Sequence, residues 1–314
     1  MQACANTPSR FLGCDVGKAE IVVFDSHDGS TRTLPNRPSD LRSFAQGLDK
    51  DCLAICEATG GYEDALLAAL VAAGCPAHRA DARKVKAFIR SFGTLGKTDA
   101  LDARALARYG TERHAGLSRW RAPDPARERL QTLVRTRIDL VGQRVACANR
   151  LKAPGVAPVK SALEALHACL SAQIAALEAA ITQTIGSIEA IATTQKALRS
   201  IRGVGPATAA ALIALMPELG QIGRKQAAAL AGLAPHPNQS GANDAYRRTR
   251  GGRPEIRKAI FMAAMTAARH DTDMRTAYAR LVANGKKPIV ALTAIMRRII
   301  VTANARVRDA LKLS

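Results

Sequence analysis

Short apolar runs open the chain. Phe11–Asp15 and Ile21–Asp25, separated by a turn containing Gly17, predict paired strands, and Thr31–Leu34 predicts a third. A helix follows, with Ser39 placed to cap it. Cys52–Cys56 has the pattern of a buried strand, and Gly60-Gly61 leads into an apolar helix near Tyr62–Ala73. Cys75–Arg79 predicts one more short strand, and helices follow at roughly Ala82–Ser91 and Thr98–Tyr109. Strands first, then strands alternating with helices, predict a mixed α/β sheet covered on both faces.

The period changes from about residue 124. Leu130, Val134, Ile138, Val141, Val145 and Ala148 recur three and four apart, one stripe of a long helix. Pro154-Gly155-Val156-Ala157-Pro158 breaks it. A second stripe runs Leu163, Leu166, Leu170, Ile174, Leu177, Ile181, Ile185 and Ile188, in an eleven-residue pattern that implies little or right-handed supercoiling. Two long amphipathic helices around a Pro/Gly turn make an antiparallel hairpin or dimerisation arm, or else part of a packed bundle. The last third is again mainly helical. Pro206 and Pro254 stand where first-turn prolines belong, Gly285 reads as a helix terminator, and the final helix is Pro288–Ala303. Its apolar side carries Ile289, Leu292, Ile295/Met296 and Ile299, with Arg297 and Arg298 beside it.

Composition narrows the class. The 314 residues are 47% hydrophobic but only 4% aromatic, which favours helices packed through small side chains over an all-β or disordered chain. No apolar run reaches the roughly 18 residues of a membrane span, and the N-terminus lacks the apolar stretch of a secretory signal. Seven scattered cysteines follow no metal-type spacing and read as reduced, buried thiols of a cytosolic protein. The net charge of +20 is unevenly placed. Residues 1–75 hold 6 basic and 10 acidic side chains, residues 76–137 hold 15 and 6, and residues 244–314 hold 16 and 5. A basic excess clustered in globular segments is the footprint of a nucleic-acid binder.

Four carboxylates stand at suggestive positions within this basic chain. Asp15 ends the first strand and Glu57 ends the strand Cys52–Cys56, while Asp99 and Asp102 lie three apart on one helix face. Such acids, gathered together, repel one another unless a hard cation such as Mg²⁺ neutralises them, and paired ions can clamp a scissile phosphodiester. Taken singly, each is also an ordinary turn or helix-start residue. Ser240 lies in a glycine-flanked Gln-Ser-Gly loop followed by Arg247, Arg248, Arg250 and Arg253. Its hydroxyl is a candidate nucleophile with guanidiniums at hand for phosphate, or a plain turn residue. Gly203 and Gly205, in Arg202-Gly203-Val204-Gly205-Pro206, resemble a helix-hairpin-helix turn whose N–H groups meet phosphate; a tight interhelical turn has the same pattern.

In order and spacing these motifs resemble the DEDD insertion-sequence transposases and recombinases, the IS one-ten group that includes pilin-gene invertases. The resemblance spans nearly the whole chain. Gly13-Cys14-Asp15-Val16-Gly17-Lys18, Glu57-Ala58-Thr59-Gly60-Gly61-Tyr62 and Lys97-Thr98-Asp99-Ala100-Leu101-Asp102-Ala103 are similar to its three acidic motifs. Gly232-Leu233-Ala234-Pro235, Gln239-Ser240-Gly241, Arg250-Gly251-Gly252-Arg253 and Asn284-Gly285-Lys286-Lys287 match its C-terminal half. Cys14 departs from the pattern, standing where an aliphatic residue is expected.

The resemblance implies an α/β RNase H-like (RuvC-like) domain over 1–118, a helical hairpin or coiled-coil arm over 119–195, and a mainly α transposase domain over 196–314. It implies Mg²⁺ on Asp15, Glu57, Asp99 and Asp102, with Ser240 as the nucleophile that forms a phosphoserine intermediate. One active site would draw on different subunits of a homodimer that assembles into a homotetramer. The partners would be donor and target DNA and a noncoding bridge RNA, in the prokaryotic cytoplasm at the nucleoid and away from membranes. Candidate nucleic-acid contacts are Lys97, Gly203, Gly205, Arg247, Arg248, Arg250, Arg253, Lys286, Lys287, Arg297 and Arg298. Two rivals are a structure-specific endonuclease using water and a non-enzymatic architectural DNA-binding protein.

Overall fold

A computed structural model describes residues 8–93, 98–236, 239–240, 243–244 and 249–312. The chain divides into two compact units, Met1–Pro123 and Asp124–Ser314.

The first unit is built on β1 (Arg10–Val16), β2 (Glu20–Asp25) and β3 (Thr31–Pro35), then α1 (Pro38–Gln46), β4 (Cys52–Glu57), α2 (Asp64–Ala72), β5 (Ala77–Ala80), α3 (Ala82–Arg90) and α4 (Asp99–Arg113). The sheet order is β3-β2-β1-β4-β5. The first three strands form an antiparallel meander, whereas β4 and β5 run parallel to β1. Alternation along the strands splits the core in two. Leu12, Cys14, Val16, Ile21 and Val23 pack with α1 and α2 on one face. Phe11, Leu53 and Ile55 pack with Val85, Phe88, Leu106 and Tyr109 of α3 and α4 on the other. The expected mixed sheet with two covered faces is therefore present.

Two local expectations change. Ser39 does not cap α1: Pro38 takes the first helical position, Arg37 is the cap residue, and the Ser39 hydroxyl donates to Asp40. The strand expected at Cys75–Arg79 begins at Ala77, because Cys75 N–H still bonds the Leu70 carbonyl of the preceding helix end. Across one end of the sheet, Asp25 is fully buried and accepts from Arg10 Nε at 3.2 and 3.0 Å and from the His27 N–H at 3.0 Å.

The second unit begins with α5 (Pro125–Arg150) and α6 (Lys160–Gly186), joined through Gly155 at φ +77° and a 3₁₀ turn at Ala157–Val159. They run antiparallel: the Cys147 thiol meets the Leu163 carbonyl, and Arg137 Nε donates to Glu178 at 2.8 Å. The base of this hairpin (Leu130, Val134, Ile181, Ile185) belongs to the core of the unit. Its tip is solvated. Val145 and Leu166, assigned by periodicity to the buried stripes, are exposed, and Cys147 is buried in place of Val145.

The rest is α7 (Glu189–Arg199), α8 (Pro206–Leu215), α9 (Arg224–Leu230), the short hairpin β6 (Gln239–Ser240) and β7 (Asn243–Asp244), α10 (Pro254–His270), α11 (Thr272–Ala283) and α12 (Pro288–Lys312). Pro206 and Pro254 occupy the first turns of α8 and α10, and Gly285 turns at φ +77° after α11. Ile289 is exposed rather than part of the apolar side of α12, which starts at Ala291 and continues through Ile295, Met296, Ile299 and Ile300. By length and composition alone, two segments pass for membrane spans, the stretch Ala157–Gly186 that contains α6 and the helix α12, contrary to the expectation from apolar runs. The apolar side of α12 is committed to the core of the unit, and α6 packs along α5.

Candidate active site

Glycine places α4 over the sheet. A Cβ on Gly13 would overlap the backbone of Ala103 and Ala107, and one on Gly110 would overlap the Ile55 side chain. Only hydrogen at these positions lets the helix lie this close. Ala103 therefore sits over Gly13, while Gly110 sits near Phe11 and Ile55, so α4 runs opposite to β1. Its first turn, with Asp99 and Asp102, is carried to the end of the sheet where β1 and β4 finish.

At that end, Cys14 and Cys56 are paired neighbours on parallel strands. Asp15 and Glu57 are the next residues along each strand, on strands about 4.8 Å apart. Gly13 and Ile55 face α4, and alternation puts Asp15 and Glu57 on that face too. Sheet register and helix position thus bring all four acids to one end of one face. Asp15, Glu57 and Asp102 are half-buried and Asp99 is exposed. Thr98 caps α4, accepting from Leu101 N–H at 3.2 Å, so the two helix acids also have the ordinary first-turn role.

Among the described residues, no three His, Cys, Asp or Glu side chains are close enough together to hold a metal ion. The donor chemistry nevertheless suits one. All four candidates are hard oxygen ligands at a water-accessible rim, and no described cation forms a salt bridge with Glu57, Asp99 or Asp102.

The loop that follows Glu57 rests on a residue that no sequence motif marked. Glu63 is 2% exposed, and its Oε2 accepts from Thr59 N–H and Gly61 N–H, both at 3.0 Å. Gly60 and Gly61, at φ +70° and +101°, let the loop fold back onto this carboxylate. Its spacing from Glu57 carried no motif, and only the burial makes it visible. The buried Cys14 and Cys52 thiols are pushed up to about 12 by desolvation, and Cys56 is also raised, so none supplies a thiolate nucleophile near neutral pH. Cys75 and Cys147 are buried as well, and Cys169 is exposed.

Ser240 lies on β6, where it pairs with Asn243 of β7. The base of this hairpin is knit together by glycine. Pro235 bridges to Thr249, and a Cβ on Gly252 would overlap the Gly232 backbone. Arg257, also missed, reaches the carbonyls of Gly251 and Gly232 at 3.2 and 3.4 Å. The Gly232–Pro235 and Arg250–Arg253 motifs are thus the two walls of that base.

The candidate nucleic-acid contacts separate. Arg250, Lys286, Lys287 and Arg298 are exposed, and Arg297 is half-buried. Lys97, Arg247 and Arg248 lie outside the described residues. Gly203 adopts φ +92° against α10, where a Cβ would crowd the Ala263 carbonyl and Ala267, so packing alone accounts for this glycine. Gly205 precedes α8 with open space beside it. Arg253 already has partners, with two nitrogens donating to Glu218 at 2.8 and 2.6 Å and a bond to the Leu215 carbonyl at 2.8 Å.

That fork holds the Glu218 carboxyl below its ordinary range, because the charged form is the one hydrogen-bonded. A depressed folded pKa adds stability above the unfolded carboxylate pKa, and this is lost as pH falls through the folded value. Melting of the second unit is therefore expected to become acid-sensitive below about pH 4.5. In Glu218→Gln that component should flatten in a series of thermal melts, modestly, since the pair is more than one-third exposed.

Residues 12–154 match the transposase model for DEDD proteins of the IS110 type, and residues 195–279 match the model "Transposase IS116/IS110/IS902 family". The pilin gene-inverting proteins of Moraxella lacunata and Moraxella bovis are each 27% identical to this chain over 260 residues, covering 81% of it and 80% of theirs. With both of its units matched by the models of one family, the chain belongs to the IS110 family of transposases and recombinases.

Proposed function

We propose that this chain is a Mg²⁺-dependent DNA recombinase that moves or inverts a mobile element through a phosphoserine intermediate, guided by a bridge RNA. The gathering of Asp15, Glu57, Asp99 and Asp102 at one end of one sheet face carries the proposal. The strand order, three antiparallel strands followed by two parallel ones, supports an RNase H-like reading of the first unit. Held by the four carboxylates, Mg²⁺ would supply positive charge for the nonbridging oxygens of a phosphodiester. The Ser240 oxygen attacks phosphorus, the P–O3′ bond breaks, and the proton leaves with the freed 3′-hydroxyl. The 5′-phosphate stays on the serine. An exchanged 3′-hydroxyl then attacks the ester, restores the diester and returns the serine hydroxyl, so no ATP is consumed.

The exposed basic residues of the second unit would hold donor and target DNA and the guide RNA by their backbones. A dimer, pairing into a tetramer, would bring the acids of one chain to the serine of another. Support comes from α6, where Ala162, Ala165, Cys169, Ala172, Ala176 and Ala179 form an exposed seam of small residues at alternating three- and four-residue spacing. Such a protein works in the cytoplasm, at the nucleoid.

The test uses the full chain with DNA ends of its element. Asp15→Asn and Asp102→Asn are each expected to lower Mg²⁺-dependent cleavage about 10² to 10³-fold with DNA binding kept. Undiminished cleavage by these variants, or by wild type in EDTA, would overturn the metal reading. Sequencing co-purified RNA checks the guide, which is expected to map beside the gene.

A further inference from the structure

The two loops that follow Asp15 and Glu57 are joined by one side chain. Asn36, just past β3, donates from Nδ2 to the Gly17 carbonyl at 2.9 Å and to the Tyr62 carbonyl at 3.1 Å. Gly17 is two residues beyond Asp15, and Tyr62 ends the loop that starts at Glu57. The Asn36 N–H also donates to the Ala19 carbonyl at 2.8 Å, which fixes the amide in place between the loops. Next to Tyr62, buried Glu63 gathers the Thr59 and Gly61 N–H groups, and the Thr59 hydroxyl donates back to the Glu57 carbonyl at 3.1 Å. An unbroken path of hydrogen bonds and short backbone steps therefore runs from the Asp15 turn through Asn36, Tyr62 and Glu63 to Glu57.

We infer that Asn36 and Glu63 are positioning residues that hold Asp15 and Glu57 at a fixed separation for a divalent cation, an inference that rests on the metal reading above. The chemistry explains the residue types. Spanning two carbonyls takes a side chain with two N–H bonds on one nitrogen, which asparagine has and aspartate lacks. Gathering two backbone N–H groups in a dry place takes an acceptor oxygen, which glutamate supplies. Neither residue touches the cation. Each limits how far the like-charged strand ends can spread when it is absent. Without the clasp, ion binding must first pull the two loops together, and that cost appears as weaker affinity.

The test is direct Mn²⁺ binding to the full chain, followed by electron paramagnetic resonance, with thermal melting in parallel. Asn36→Ala is expected to weaken Mn²⁺ binding about tenfold while shifting the metal-free melting temperature by no more than about 2 °C. The same variant should regain cleavage at raised Mg²⁺, which a folding defect would not do. Glu63→Gln keeps an acceptor oxygen and should bind near wild type, whereas Glu63→Ala should weaken binding as Asn36→Ala does. Wild-type Mn²⁺ affinity in a folded Asn36→Ala protein overturns the clasp alone. Absence of Mn²⁺ binding by wild type, with Asp15→Asn no different, overturns the metal reading and the clasp with it.

Discussion

Ser240→Ala is expected to abolish the covalent protein–DNA adduct and strand exchange while leaving DNA binding intact. Loss of an attacking oxygen removes the first bond-forming step, so the residual rate should fall by at least about 10³-fold. Labelled DNA run on a denaturing gel, with and without protease, reads the adduct as a protease-sensitive shift. An endonuclease that uses water predicts normal cleavage by the same variant and no adduct from wild type, so one gel separates the two chemistries. The position of Ser240 gives the variant its value. It stands on a two-residue strand of a hairpin whose base is secured by the Pro235–Thr249 bridge and by the Gly232–Gly252 approach. Those contacts are made by the backbone of other residues, and an unchanged thermal melt of Ser240→Ala would show that lost activity comes from the lost hydroxyl.

Asp25→Ala should have the largest effect on stability. Asp25 is fully buried, while the Arg10 side chain that donates to it through Nε and Nη2 is 17% exposed. Removing the carboxylate leaves a guanidinium with little water and no close buried counter-charge, a change that costs about 3–5 kcal/mol. Against a typical total of about 5–15 kcal/mol, that is a large share of what holds a unit of this size together. The first unit is expected to melt about 10–20 °C lower, followed by circular dichroism. Asp49 also pairs with Arg10, at 3.2 Å, but its side chain is 84% exposed. Asp49→Ala should therefore cost less than about 1 kcal/mol, and comparable losses from both variants would refute the burial account.

Much of the fold was legible along the chain because side-chain direction repeats with the backbone. A period of two in Phe11–Asp15 and of three to four from Leu130 onward marks strand and helix before any packing is known. Prolines and glycines marked several helix ends for an equally local reason, since each restricts or frees one backbone angle. Legibility failed where the deciding contact came from far away. Val145 keeps helical period with Leu130 yet is exposed, because at that level of the hairpin the side chain turned to α6 is Cys147, whose thiol meets the Leu163 carbonyl. Ser39 has a good capping side chain and does not cap, because Pro38 claims the first turn. At the candidate site, the acids could be named from strand ends and a helix face. Glu63, Asn36 and Arg257 could not, since a buried carboxylate, a bridging amide and an arginine spent on carbonyls have no characteristic spacing.

The amino-acid sequence by itself determined which segments alternate in two and which in three to four, where the basic excess lies, and which acids and which serine could do chemistry. These are properties of composition and local stereochemistry, complete in a few consecutive residues. Only the tertiary structure decided that Asp15 and Glu57 are neighbours on one face, that Gly203 serves a helix contact, and that Arg253 is committed to Glu218. Those outcomes depend on strand register and on which distant backbone comes close enough to exclude a Cβ, and they exist only once segments far apart in the chain have packed.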